Sequence, residues 1–115
     1  MTLGPDAIEG SCHCGAVQVR VASLPTYLND CQCGHCQKRG ALWAYYPLDQ
    51  FSVAGPTSKY VWGDRQIEFH FCATCGITTH WWPIDPVRRP RIGLNARTLG
   101  KSVFQQIPVS KGAID

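Results

Sequence analysis

Hydrophobic and polar positions alternate along this chain with the two-residue period of strands. Val17, Val19 and Val21 alternate with Gln18 and Arg20, and Ile67, Phe69 and Phe71 with Glu68 and His70. Such alternation predicts strands with one face buried. Leu42 to Tyr46 is a short apolar run closed by Pro47, and Ile77 to Trp82 is β-branched and aromatic. Both fit strands by propensity. Ile92 and Leu94 predict a further short strand, and Val103 to Val109 a last one. Turn residues such as Gly55-Pro56 and Gly63-Asp64 punctuate these segments. No segment sustains a 3.6-residue period, and at most the Cys36 to Gly40 stretch makes a helical turn. The expected fold is therefore all-β: a small set of short antiparallel strands with little helix.

A length of 115 residues fits one domain. We expect an N-terminal extension over 1–9 and a single domain over 10–115. Charged residues make up only 17%, which argues against disorder and a solvated coiled coil. The segment Met1 to Gly10 contains Asp6 and Glu9 and no apolar run, so it does not read as a secretory signal. No stretch approaches the length of a membrane span. The formal charge is +3, and only Arg88, Arg89 and Arg91 are bunched. A nucleic-acid partner is not indicated, and the expected location is cytoplasmic.

Seven cysteines change the picture. An odd number cannot pair fully, and structural disulfides are rare in the cytosol. They fall in three tight groups: Cys12-His-Cys14-Gly15, Cys31-Gln-Cys33-Gly-His-Cys36 and Cys72-Ala-Thr-Cys75-Gly76. Closely spaced cysteines in a loop can turn both sulfurs to one metal ion, and zinc accepts four thiolates in a tetrahedron. The seven divide as Cys12, Cys14, Cys72 and Cys75 for a closed structural zinc, and Cys31, Cys33 and Cys36 for a second zinc with one open position. A reactive thiol cluster at the second set is the alternative. Zinc centres with four and three thiolates, carrying −2 and −1, would cancel the +3.

The same residues resemble the glutathione-dependent formaldehyde-activating enzyme (Gfa) family, to which the centromere protein V domain also belongs. The likeness is carried by Gly10-x-Cys12-x-Cys14-Gly15, by Cys31-x-Cys33-x-x-Cys36 followed by Gly40, and by Phe71-Cys72-x-x-Cys75-Gly76. Phe51-x-Val53-x-Gly55 followed by Tyr60 fits the segment between them, and the resemblance runs from about Gly10 to Leu99. It implies a zinc-pinned β-tent, the same four-plus-three division of cysteines, and carbon–sulfur lyase chemistry that joins glutathione to formaldehyde. Glutathione would then be a co-substrate, and the partners a small-molecule thiol and an aldehyde.

An open position beside three thiolates suits an external thiol, which would attack a small aldehyde. A proton donor would assist. His35 lies inside the three-cysteine loop and is the candidate for fourth ligand or proton shuttle. His80 reads as a satisfied structural histidine, His70 as a sheet-face residue, and His13 as pointing away from the metal. Trp43, Trp62, Trp81, Trp82, Tyr45 and Tyr46 fill a core or line a pocket, and the planar fork of Arg97 suits a carboxylate. Two rival functions stay open: a non-enzymatic zinc module that binds a protein, and a zinc or redox sensor built on the three-cysteine site. An enzyme requires a small open pocket beside Cys31, Cys33 and Cys36. A binding module requires an exposed apolar patch over a covered second site. A sensor should release the second metal under mild oxidant.

Overall fold

The computed structural model describes residues 6–112, which form two sheets. The smaller sheet has the order β1-β2-β5, from strands β1 (Ile8–Ser11), β2 (Gln18–Val21) and β5 (Phe51–Ala54). Ile8 and Glu9, which fall in the segment expected to be an extension, form the first half of β1 and pair with Val21 and Arg20. In the larger sheet are β3 (Leu28–Asn29), β4 (Trp43–Pro47), β6 (Thr57–Tyr60), β7 (Ile67–Cys72), β8 (Thr78–Pro83), β9 (Arg91–Asn95) and β10 (Val109–Ser110). Their order is β10-β3-β4-β9-β8-β7-β6.

The expectation of an all-β domain holds, with two differences. The edge pair β3/β10 is parallel, with Val109 opposite Leu28 and Ser110 opposite Asn29. The last predicted strand over Val103 to Val109 is mostly not a strand. Lys101–Phe104 forms one helical turn, α2, and only Val109 reaches the sheet. The turn is held by the amides of Phe104 and Gln105, which donate to the carbonyls of Gly100 and Lys101. Four residues are too few for a helical period to show in the sequence.

Alternation on the central strands assigns side chains to two faces. Ala44 and Tyr46 of β4, with Ile92 and Leu94 of β9, pack against Val19, Val21 and Phe51 of the small sheet and form the main core. On the opposite face Trp43, Phe69 and Trp81 pack with Cys31, Cys36 and Ala41. Gly93 is required there: a Cβ on it would lie 2.0 Å from the Trp81 indole nitrogen. His80 is 3% exposed on the core side. It hydrogen-bonds the Thr79 hydroxyl through Nδ1 at 2.9 Å and stacks on His70 at 4.6 Å. Burial, aided by neighbouring His70, holds its pKa at about 3, so its ring is neutral at pH 7. Among the described residues no helix is long and apolar enough to cross a membrane.

Candidate metal centre

Two cysteine groups form, and each could hold a metal ion. The first joins two knuckles that are 58 residues apart in the chain. One follows β1 and carries Cys12 and Cys14; the other ends β7 and carries Cys72 and Cys75. Both are closed the same way. Cys12 N–H donates to the carbonyl of Val17, and Cys72 N–H to that of Ile77. Gly15 and Gly76 follow the second cysteine of each pair at φ 83° and 82°, a left-handed turn that favours glycine.

The sulfur spacing tests the fit to a metal. Cys12 Sγ lies 3.7 Å from Cys14 Sγ, and Cys14 Sγ lies 3.7 Å from Cys72 Sγ. Four sulfurs about 2.3 Å from a central zinc would sit about 3.8 Å apart at the corners of a tetrahedron. All four Sγ atoms of this group lie within 4.8 Å of one another. Backbone N–H groups point at the sulfurs: Val17 at Cys12 Sγ, 3.3 Å, and Thr74 and Cys75 at Cys72 Sγ, 3.3 and 3.4 Å. The N–H groups of Cys14 and Ile77 hold the Cys75 thiol down at about 6. Thiolates this close repel strongly unless a cation lies among them. The donor set and its spacing suit a closed tetrahedral zinc.

The second group is Cys31, Cys33 and Cys36, again with sulfurs within 4.8 Å of one another. It is built on α1 (Gly34–Arg39), which starts one residue after Cys33. Its helical turn thus begins two residues earlier than the sequence suggests. Cys33 is the N-cap, its sulfur accepting from Cys36 N–H at 3.2 Å, and Gly40 at φ 69° is the left-handed C-cap. Capping with a cysteine places the first and last sulfurs of Cys33-x-x-Cys36 on one side of the turn. Cys36 Sγ accepts from the Trp43 indole at 3.4 Å, and burial pushes its thiol up to about 12. Burial works against the Cys33 thiolate as well, but the hydrogen bonds it accepts from the Cys36 and His35 N–H groups and from the neighbouring thiols together outweigh it and lower that pKa. Cys31 and Cys36 are buried and Cys33 is half-buried, so Cys33 is the most exposed of the three cysteines.

A cavity of about 270 Å³ adjoins this trio, lined by Cys33, Cys36, Trp62, Ile67 and Phe69, with Asp64, Gln66 and Arg89 among its polar groups. His35 is neither in the sulfur cluster nor on this lining. Its ring turns into a cage of Phe69, Trp62 and Tyr60, with centroids at 4.4, 5.0 and 5.7 Å. Arg39, four residues on along α1, donates from Nε to His35 Nε2 at 2.8 Å. The proton of the neutral ring is then on Nδ1, which is buried and has no partner among the described residues. Burial, and secondarily Arg39, lowers the His35 pKa. Sequence reasoning missed Arg39, Asp64 and Gln66. The His35/Arg39 spacing of i, i+4 was the signal available for Arg39, but it has meaning only on a helix that starts at Gly34.

A two-sheet β domain with one four-cysteine knuckle pair and one three-cysteine helix cap defines a small cysteine-cluster protein whose two groups could each hold a metal ion. Residues 7–105 match the glutathione-dependent formaldehyde-activating enzyme family. The chain belongs to that family. A Halomonas elongata protein, provisionally named a glutathione-dependent formaldehyde-activating enzyme, is 33% identical over 98 residues, covering 69% of this chain and 57% of that relative. The chain thus spans just over half the length of the curated relative it matches. The crystal structure of a Rhodobacter sphaeroides protein is similar with a TM-score of 0.73 and 30% identity, covering 90% of this chain and 100% of that one.

Proposed function

We propose that the chain holds zinc at both cysteine groups and handles a thiol–aldehyde adduct at the second. Cys12, Cys14, Cys72 and Cys75 would hold a structural zinc, and Cys31, Cys33 and Cys36 would hold a second one with room for an external thiol. What carries this reading is the cavity of about 270 Å³ that borders Cys33 and Cys36. A covered second site would favour a binding module instead. The family name makes glutathione and formaldehyde the first substrates to test.

When bound, the second zinc would supply a soft Lewis acid that favours the thiolate form of its guest. The chain's residues do the rest. Trp62, Ile67 and Phe69 exclude water from one side of the cavity, and Asp64 places a carboxylate on its lining. That carboxylate takes the thiol proton and returns it to the aldehyde oxygen. One carbon–sulfur bond forms, the carbonyl π bond becomes a C–O single bond, and the proton ends on the hydroxyl; reversal is the lyase direction. His35, capped by Arg39 and sealed behind Trp62 and Phe69, serves as a positioning residue for α1 rather than as a ligand. The test is exchange spectroscopy of formaldehyde with glutathione, with and without protein. Faster exchange that is lost in Cys33→Ser supports the reading, and unchanged exchange rates refute it.

A further inference from the structure

A second and larger cleft, of about 560 Å³, lies against the C-terminal turn of α1. It shares no lining residue with the cavity beside Cys33 and Cys36. Lys38, Arg39 and Arg97 line it together with His13, and no lining residue is acidic. The ion pairs Arg20–Glu9, Lys59–Glu68 and His70–Glu68 involve none of the three cations, and among the described residues none of the three has a carboxylate partner.

Both guanidinium groups are held in place along one edge. Arg97 donates from Nε to the Gly40 carbonyl at 2.8 Å and lies over the Phe104 ring at 5.3 Å. Arg39 is tied through Nε to His35 and through Nη1 to the Thr78 hydroxyl, with its carbon 5.1 Å from the Phe69 ring centre. Among the described residues the remaining N–H groups of each fork have no hydrogen-bond partner. Nearby neutral groups are not: the Asn95 amide bonds to the Thr78 carbonyl and the Leu42 and Arg97 amides, and the Thr98 hydroxyl to the Asn95 carbonyl. Of the three cations Arg39 is half-buried while Lys38 and Arg97 face solvent, and forks oriented in advance match planar or tetrahedral oxyanions bidentately.

We propose that this cleft binds a small, multiply charged oxyanion, a dicarboxylate or a phosphate ester, between Arg97 and the Lys38–Arg39 turn. Cys12 borders the cleft as well. A metal-loaded four-thiolate centre is negative and repels an anion there, which confines the guest to the α1 end. The proposal is independent of the thiol–aldehyde chemistry, because the two cavities share no lining residue.

The test is titration of the metal-replete full chain with inorganic phosphate and, separately, with succinate at constant ionic strength, followed by amide NMR shifts. We expect saturable one-site binding with shifts at residues 38–40 and 95–98. Lys38→Gln and Arg97→Gln should each weaken it by about tenfold or more, the loss of one charge-assisted contact. Arg20→Gln, in β2, removes the same charge and should leave it unchanged. Tighter phosphate identifies a phosphate ester and tighter succinate a dicarboxylate. Absence of saturable binding, or equal weakening by all three substitutions, overturns the proposal: the cations then only balance the thiolate charge. Lys38 is exposed and its side chain makes no hydrogen bond or ion pair among the described residues, so Lys38→Gln keeps the test valid if Arg97→Gln disturbs the Gly40 cap.

Discussion

Replacing one cysteine in each group by serine separates their roles. Cys72 is 1% exposed, packs with Cys12 and Val17, and accepts two backbone N–H bonds through its sulfur. It also lies at the join between knuckles from the two sheets. A structural zinc contributes on the order of 10–16 kcal/mol of apparent binding energy. A whole domain has about 5–15 kcal/mol of net stability. Loss of that ion is therefore comparable to the entire stability, and Cys72→Ser should leave the chain without a cooperative thermal transition. Cys33→Ser is different. Cys33 is half-buried and caps α1 by accepting from Cys36 N–H at 3.2 Å. Serine is among the best N-cap residues, so the substitution removes a soft ligand while keeping the helix start. We expect zinc per chain to fall from two toward one by elemental analysis, with the circular dichroism spectrum and melting transition retained. Equal loss of fold in both variants, or a folded Cys72→Ser that keeps both metals, would refute the structural/open division.

Gly93→Ala should drive a methyl into the Trp81 indole, whose nearest atoms lie 2.0, 2.4 and 2.7 Å from the new Cβ. Overpacking of this kind costs about 1–3 kcal/mol and should show as a lowered melting temperature with altered tryptophan fluorescence; an unchanged Tm would count against the tight Trp81 contact. His80 predicts an acid-side loss of stability. Its folded pKa is about 3, below the unfolded value, so between about pH 6.5 and 3 the unfolded chain binds the extra proton. Stability is then full above pH 6.5 and falls as pH drops, by up to about 1.4 kcal/mol per unit. Denaturant melts of His80→Asn should show a shallower slope than the parent over that window, and equal slopes would contradict the assignment. Arg39→Ala should free His35 and loosen α1, raising the rate at which a chelator strips the second metal while the first is retained; parallel release of both would argue against Arg39 as the tie.

Strand identity was legible in the sequence wherever one face is buried. Val19 and Val21 are buried while Gln18 and Arg20 are exposed, so the period shows in the residues themselves. The grouping within each cysteine knuckle was legible as well, because sulfurs two or three residues apart can reach a common point whatever the rest of the fold does, and the joining of the Cys12/Cys14 and Cys72/Cys75 knuckles across 58 residues was expected only from the four thiolates that one zinc takes. Other distant contacts were not legible. Val109 pairs with Leu28 across 81 positions in a parallel edge that no local pattern encodes, and α2 is too short to have a period. His35 stands between two of the clustered cysteines in the chain, yet α1 rotates its ring into a cage of Tyr60, Trp62 and Phe69, which come from β6, β7 and the loop between them. Lys38, Arg39 and Arg97 meet at one cleft only because α1 ends against the turn after β9. Local sequence decides which residues can bind a metal or face a core. Which side chains share a cavity is settled by packing between segments far apart in the chain, and that leaves no periodic trace.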